Sequence, residues 1–344
     1  MNTVTITFKP KQVVKRLLGA LPVRARDILT SRYGLGTDTK KVTLEAIGKK
    51  YGITRERVRQ IEEYALANIR KSEAYKKESS IFGELSLVIK KLGAVIAEHE
   101  LLNLLAKDKA TQNAIHFLLV LAPEFKKIKE DDSFEHRWHV DEDMSKKIHG
   151  ALKKIYENLH DEDIVPEAEI IKQFLNHVKD VSDEYKNEEM IKRWLNISKS
   201  IGKNPLGEWG KSTSPNIRLK GMRDYAFLVI RRHGSPIHFR EVAKAIGEIF
   251  GKKAHVATTH NELIKDKRFV LVGRGLYALA EWGYASGVVK DVIKSVLNKN
   301  GAMSKEEIID KVMKERYVKE NTILVNLQNP KHFKKNKDGT YSIV

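Results

Sequence analysis

Four side chains within six consecutive positions, Arg55, Glu56, Arg59 and Gln60, offer a partner three different kinds of hydrogen-bonding group. Arginine can bridge both major-groove acceptors of guanine, glutamine can pair with the edge of adenine, and a carboxylate can accept from the amino group of cytosine. Together they have the makings of a sequence reader for duplex DNA. Thr54, just ahead of them, is a candidate for the phosphate contacts that fix register without reading sequence. The plain alternative is the solvated face of an ordinary amphipathic helix.

What must position these groups is legible around them. Leu44, Ile47 and Tyr51 recur at helical spacing, Thr43 can cap that helix, and Gly52 ends it. Thr54 can cap a second helix, with Glu56 in its first turn where negative charge is favoured. Val58, Ile61, Ala65 and Ile69 form the apolar stripe of this second helix, and the four candidate readers fall beside or opposite it. Two helices joined by a tight glycine-containing turn, the second carrying polar readers near its start, form the helix-turn-helix pattern whose second helix enters the major groove.

The string TLEAIGKKYGITRERVRQIE, Thr43 to Glu62, resembles region 4 of bacterial RNA polymerase sigma factors, and the likeness extends upstream through LPVRARDILTSRYGL, Leu21 to Leu35. In that family the domain reads the promoter −35 element and docks on the flap of the large β subunit. The resemblance implies base-reading roles for Arg55, Glu56, Arg59 and Gln60 and a backbone role for Arg57. It covers about the first 75 residues. Sigma factors also carry a clamp-gripping, −10-melting segment ahead of region 4, and the residues before Leu21 are too few for it. The expectation is therefore a chain that does not start transcription alone.

The composition bounds the remaining choices. The chain has 344 residues, enough for two to four domains, and 41% hydrophobic content is compatible with folded cores. Cysteine is absent, which excludes disulfides, thiol catalysis and cysteine-based zinc sites. No secretion signal or roughly 20-residue apolar span is present, so a cytoplasmic protein without a membrane partner is expected. Of the net charge of +18, residues 1–77 contribute +11, residues 78–210 contribute −6 and residues 211–344 contribute +13. Two basic ends around an acidic middle suit nucleic-acid contacts at both ends.

In chain order, Val4, Ile6 and Phe8 alternate with threonines as a short strand or ordered arm, Lys9 to Leu18 is a first helix, and Pro22 opens the next. Asp38 to Lys41 is a polar loop. From Lys76 to about Phe125, Ile81, Leu85, Val88, Ile89, Leu92, Val95 and Ile96 predict a long helix, followed by further helical segments, the whole of 78–143 acting as a connector. His136, His139 and His149 match no compact metal-binding spacing, and neither a metal nor another cofactor is expected.

The clearest later unit, within 211–284, runs from Met222 to Trp282. Helices over Tyr225–Ile230, Phe239–Ile246 and Val256–Leu263 precede two short strands bent at Gly273-Arg274-Gly275. Three helices and a hairpin make a winged helix, with Lys265 of the third helix and Arg274 of the wing suited to phosphates. SPIHFREVAKAI and FVLVGRGLYALAEWG, Ser235–Ile246 and Phe269–Gly283, resemble the HARE-type winged helix, which implies contacts to DNA or to transcription and chromatin assemblies. A second copy occupies 285–344, with Ser304 and Glu307 as a capping box, a tight Asp338-Gly339 turn, and Lys334, Lys335 and Lys337 on its wing. A degenerate copy is placed over 144–210, where Trp194 and Leu195 point inward and Gly202 to Gly210 form a wing or an ordered loop.

The expected fold class is therefore mainly α and multi-domain: an N-terminal helix-turn-helix over 1–77, a helical middle, and C-terminal tandem winged helices with short β-hairpins. Without a phosphate-binding loop, dinucleotide fingerprint, paired carboxylates or nucleophile elbow, the chain is expected not to be an enzyme. The favoured function is a sequence-specific, sigma-like transcription regulator bound to double-stranded DNA. The alternative is an accessory protein docked on RNA polymerase core without base readout.

Overall fold

The computed structural model describes residues 5–284 and 287–344, so Val4 of the expected N-terminal strand lies outside the described residues. The chain is mainly α-helical with short β-hairpins, and divides into one unit spanning 1–203 and 207–213 and another spanning 204–206 and 214–344.

The first unit begins with α1 (Pro10–Gly19), α2 (Val23–Tyr33), α3 (Leu44–Tyr51), α4 (Arg55–Lys71) and α5 (Glu73–Lys77). No strand forms over residues 5–9. Instead Ile6 and Phe8 pack on the core while the Thr7 amide and hydroxyl donate to Glu84 at 2.5 and 2.7 Å, which makes this an ordered arm.

Beyond α5 the expected long helix is broken. It gives way to α6 (Ser79–Lys91), β1 (Val95–Ala97), α7 (Glu98–Leu105) and α8 (Lys109–Leu121), then β2 (Lys126–Ile128) and β3 (Arg137–His139). The break is at Gly93 and Ala94, whose φ angles of +105° and +62° leave the helical region. The Gly93 carbonyl accepts from Trp194 Nε1 at 3.0 Å, and a Cβ on Gly93 would lie 2.7 Å from that nitrogen, so the turn needs glycine twice over. Val95 and Ile96 therefore sit in a strand, and β3 lies between β1 and β2 with both pairings antiparallel.

A single core cluster joins Val13, Val14, Leu17 and Leu18 of α1, Leu29 and Tyr33 of α2, and Ala65, Leu66 and Ile69 of α4 to Leu85 of α6 and Phe117 of α8. The apolar faces of the first helices are thus covered by residues beyond position 77. A smaller cluster of Ile28, Ile47 and Val58 holds α2, α3 and α4 to one another.

The first unit ends with α9 (Glu142–Asn158), α10 (Glu167–His177), α11 (Glu188–Leu195), β4 (Ile201–Lys203) and β5 (Trp209–Lys211). Trp194, Leu195 and Trp209 are buried with Ile148, Ile170 and Phe174. Val165, between α9 and α10, exchanges backbone hydrogen bonds with Trp209 at 2.7 and 2.8 Å.

The second unit starts with α12 (Met222–His233), β6 (Ile237–His238), α13 (Phe239–Phe250), α14 (Val256–Lys265), β7 (Phe269–Leu271) and β8 (Leu276–Leu279). Here β8 lies between β6 and β7. It closes with α15 (Val289–Asn300), α16 (Lys305–Glu315), α17 (Glu320–Leu327) and the antiparallel pair β9 (Phe333–Lys335) and β10 (Tyr341–Ile343). Met303, between α15 and α16, bridges Tyr341, and the Ser304–Glu307 capping box is formed.

Candidate nucleic-acid interface

The exposed start of α4 is built by its two flanking turns. Thr43 accepts from the Ala46 amide at 3.2 Å and Thr54 from the Arg57 amide at 3.1 Å, so each threonine satisfies a free donor at a helix start. Gly52 closes α3 in the left-handed conformation, φ +64°. Gly48 sets the closeness of the two helices, since a Cβ there would lie 2.6 Å from the Ile53 carbonyl oxygen. Val58 is buried beneath this turn, and its burial aims the opposite side of α4 at solvent.

Two further clamps fix the helix along its length. Tyr33 donates its hydroxyl to Glu62 at 2.7 Å, with Arg32 3.5 Å from the same carboxylate, tying α2 to α4. Burial first, then the Glu62 charge, push the Tyr33 phenol well above its usual range, so it stays a donor. Near the other end, Arg70 Nε donates to the Leu121 carbonyl at 2.7 Å. Asn113 of buried α8 donates to the carbonyls of Gly34 and Thr39 at 3.0 and 2.8 Å, which holds the loop leading into α3.

Thr54, Arg55, Glu56, Arg57, Arg59 and Gln60 are all exposed on the first turns of α4. Their neighbours hold them unequally. Arg59 donates to both oxygens of Glu56, at 2.6 and 2.9 Å, and also pairs with Glu63. Its hydrogen bond holds the Glu56 carboxyl below the ordinary carboxylate range, and Glu56 in turn raises the guanidinium. Arg57 donates to Gln60 Oε1 at 3.1 Å, leaving the glutamine amide group to act as donor. Arg55 is in neither of these pairings and lines two clefts. One, of about 600 Å³, adjoins the turn with Lys49, Gly52, Thr54 and Arg57; the other, of about 380 Å³, includes Arg32 and Thr43.

Arg32 and Lys49 were not singled out from sequence. The signal was available in part, because Lys49 lies in the last turn of α3, three residues before Gly52. Arg32 was hidden, since only the fold brings the end of α2 beside Arg55.

The remaining candidates lie in the second unit. Lys265 is the exposed last residue of α14, and Arg274 is exposed between β7 and β8. Gly273 beside it is buried: Tyr317 donates its amide to the Val272 carbonyl at 2.9 Å, and a Cβ on Gly273 would lie 2.8 Å from the Tyr317 oxygen. The edge of this hairpin is therefore occupied by the segment after α16, while the Arg274 side chain stays outside. Lys334 and Lys335 on β9 and Lys337 in the following turn are exposed together on one hairpin.

His136 and His149 of the first unit each brace the backbone or a buried side chain. His136 Nδ1 accepts from the Glu130 amide at 2.8 Å, and His149 Nε2 accepts from Arg137 Nε at 2.5 Å. Burial, then the Arg137 charge, depress His149 to about 4. No metal-holding group of three or more His, Cys, Asp or Glu occurs among the described residues, and no helix among them is long and apolar enough to cross a membrane.

Residues 17–71 match the family model described as Sigma-70, region 4. The RNA polymerase principal sigma factor HrdD of Streptomyces coelicolor is 39% identical over 66 residues, 19% of this chain and 20% of that protein. The sigma factor SigA of Nostoc sp. is 45% identical over 60 residues, 17% of this chain and 15% of its own. The sigma factor RpoS of Coxiella burnetii is 47% identical over 57 residues, 17% and 16% of the two chains. The chain thus spans about a fifth or less of the length of these relatives, and the similarity belongs to a short N-terminal region.

Proposed function

We propose that the chain is a sequence-specific, sigma-like transcription regulator that acts by binding double-stranded DNA and not by catalysis. The start of α4 enters the major groove, with Arg55, Glu56, Arg59 and Gln60 as base readers and Thr54 and Arg57 on the backbone. One observation carries this reading: all six side chains are exposed on a helix whose other face is fixed by Val58, Ala65 and Ile69 in the core. The similarity of residues 17–71 to region 4 of sigma factors supports the same assignment.

The groups 142–211, 222–279 and 289–343 each run helix, short extended segment, two helices and hairpin, with the extended segment bridged to the last strand. That order supports winged-helix modules over 144–210, 211–284 and 285–344. Residues 79–139 follow the same order, with β3 central between β1 and β2, and we assign a further winged helix there. In the second unit Lys265, Arg274, Lys334, Lys335 and Lys337 are the phosphate contacts of this reading.

Docking on RNA polymerase core through the N-terminal helices is the weaker reading. Apolar residues of α1 and α2 that a partner helix would need are already buried against α8. The test is selection of random duplexes by the full chain, repeated with Gln60→Ala and Arg55→Ala. A fragment ending at residue 77 would lay bare the shared core and should not be used. Enrichment of a site, with separate positions relaxed in each variant, is expected; no enrichment with the parent chain overturns base reading. Retention of polymerase without DNA, undiminished in both variants, would favour docking instead.

A further inference from the structure

A cleft of about 480 Å³ opens beside the seam of α1 and α8, away from the α4 readers. Its apolar lining is aliphatic, from Val14, Leu18, Leu35, Ala110 and Ala114, with no aromatic ring. Gly19 and Gly36 contribute bare backbone, and the Gly19 Cβ direction meets nothing within 4 Å. The charged groups lining it, Lys11, Lys15 and Arg26, are all cationic.

These cations are weakly engaged by the protein. Lys15 is exposed and forms no ion pair among the described residues, while Lys11 lies 3.7 Å from Asp108 with both side chains more than half exposed, a pairing worth little in water. Arg26 is half-buried. Its Nη2 donates to the Leu21 carbonyl at 3.0 Å, and its Nε is buried without an acceptor among the described residues. A half-buried guanidinium and two exposed lysines beside an aliphatic floor favour a ligand that brings both an anion and a saturated chain.

We infer that this cleft binds a medium-chain acyl anion, its carboxylate among Lys11, Lys15 and Arg26 and its chain along Val14, Leu18 and Ala114. The volume is in the range of roughly 300–1,000 Å³ that takes small ligands. Aliphatic walls offer a chain close packing and give a planar base no stacking partner. The absence of a carboxylate in the lining sets the sign of the head group, which an apolar cleft alone would not do. The site is separate from DNA reading and stands or falls without it.

The test is calorimetric titration of the full chain, without DNA, with decanoate, decylamine and vesicles of anionic phospholipid. Decanoate is expected to saturate at one per chain below its micellar concentration and to bind at least tenfold more tightly than decylamine. Lys11→Glu with Lys15→Glu should weaken decanoate at least tenfold and reverse the head-group preference. Both lysines are exposed, so the unfolding midpoint reports whether the fold is kept. Ala110→Trp, which fills the cleft from the start of α8, should abolish saturation by both probes. Equal binding of decanoate and decylamine, no saturable decanoate binding, or decanoate binding unchanged in Ala110→Trp would each overturn the inference. Retention on vesicles with no binding of monomeric decanoate would assign the cations to a membrane surface and overturn it equally.

Discussion

Helices α4 and α8 carry similar polar side chains and use them in opposite ways. On α4 the amide and charges of Arg55, Glu56, Arg59 and Gln60 face solvent. On α8 Gln112, Asn113 and His116 are buried, and Asn113 is spent on two backbone carbonyls of the loop before α3. An amide stays open to a partner or becomes an internal brace according to where its hydrogen bonds point. The difference lies in packing: α4 has one apolar stripe, whereas Ile115, Phe117, Leu118, Leu119 and Leu121 bury α8 on nearly every side.

The largest effect should come from α8. Phe117→Ala removes a fully buried ring and is expected to destabilise the first unit by about 3–5 kcal/mol. Since Phe117 shares its cluster with α1, α2 and α4, DNA binding and the helical signal should be lost in one denaturant transition. Loss of the α8 region with the N-terminal helices still folded would show that the two are separable. Asn113→Leu should be destabilising for a different reason, leaving the Gly34 and Thr39 carbonyls without their donor at about 1–3 kcal/mol for each buried group unpaired.

On α4 the effects should be on discrimination. Gln60→Ala and Arg55→Ala should each relax preference at one base pair by about 1–3 kcal/mol while leaving the unfolding midpoint nearly unchanged. Competition binding against single-base variants of a selected site measures this. In the second unit, Lys334→Ala with Lys335→Ala should weaken all duplexes alike and lower the salt slope by about 0.9 per lost phosphate contact. A sequence-dependent loss there would mean that the hairpin reads bases.

The α4 half of this comparison was legible in the sequence and the α8 half was not. Thr43, Gly52 and Thr54 are local signals with local causes, and each does in the fold what its position implies. The break at Gly93–Ala94 was missed because Val95–Ala97 is buried on both faces, so the strand shows an unbroken apolar run instead of alternation. Its partner β3 carries Arg137 and His139, polar residues that hide a buried strand; Arg137 is tolerated there because the Lys129 and Glu135 carbonyls accept from it. The buried stripe of α4, and with it the side left to solvent, did show in the periodicity of Val58, Ile61, Ala65 and Ile69. Which residues would face it across space, Arg32 above all, did not.

A buried base makes stability depend on pH in the first unit. His149 is held near 4 when folded, against roughly 6.5 when unfolded, so the unfolded chain binds the extra proton between those values. Stability should be full above about pH 6.5, fall as pH drops toward 4, and level off below. Discounted for its partial exposure, the loss is on the order of 1 kcal/mol. His149→Gln should flatten that part of the midpoint-against-pH curve; an unchanged slope would assign it to other groups.

The smallest effect concerns how freely the proposed α4 readers would meet a base. Arg59 is forked between Glu56 and Glu63, and a guanine edge must displace at least part of this arrangement before the bidentate contact forms. Both acids are exposed, so solvent screening leaves the hold weak in water. Glu63→Gln keeps the shape while removing the charge and one competitor, so it should tighten DNA binding by no more than about fivefold, most at low salt. Glu56→Gln removes the other competitor but also a proposed cytosine acceptor, so its gain should depend on the base pair opposite. Equal gains for both variants on every duplex would mean that Glu56 contributes only charge, leaving Arg55, Arg59 and Gln60 as the readers.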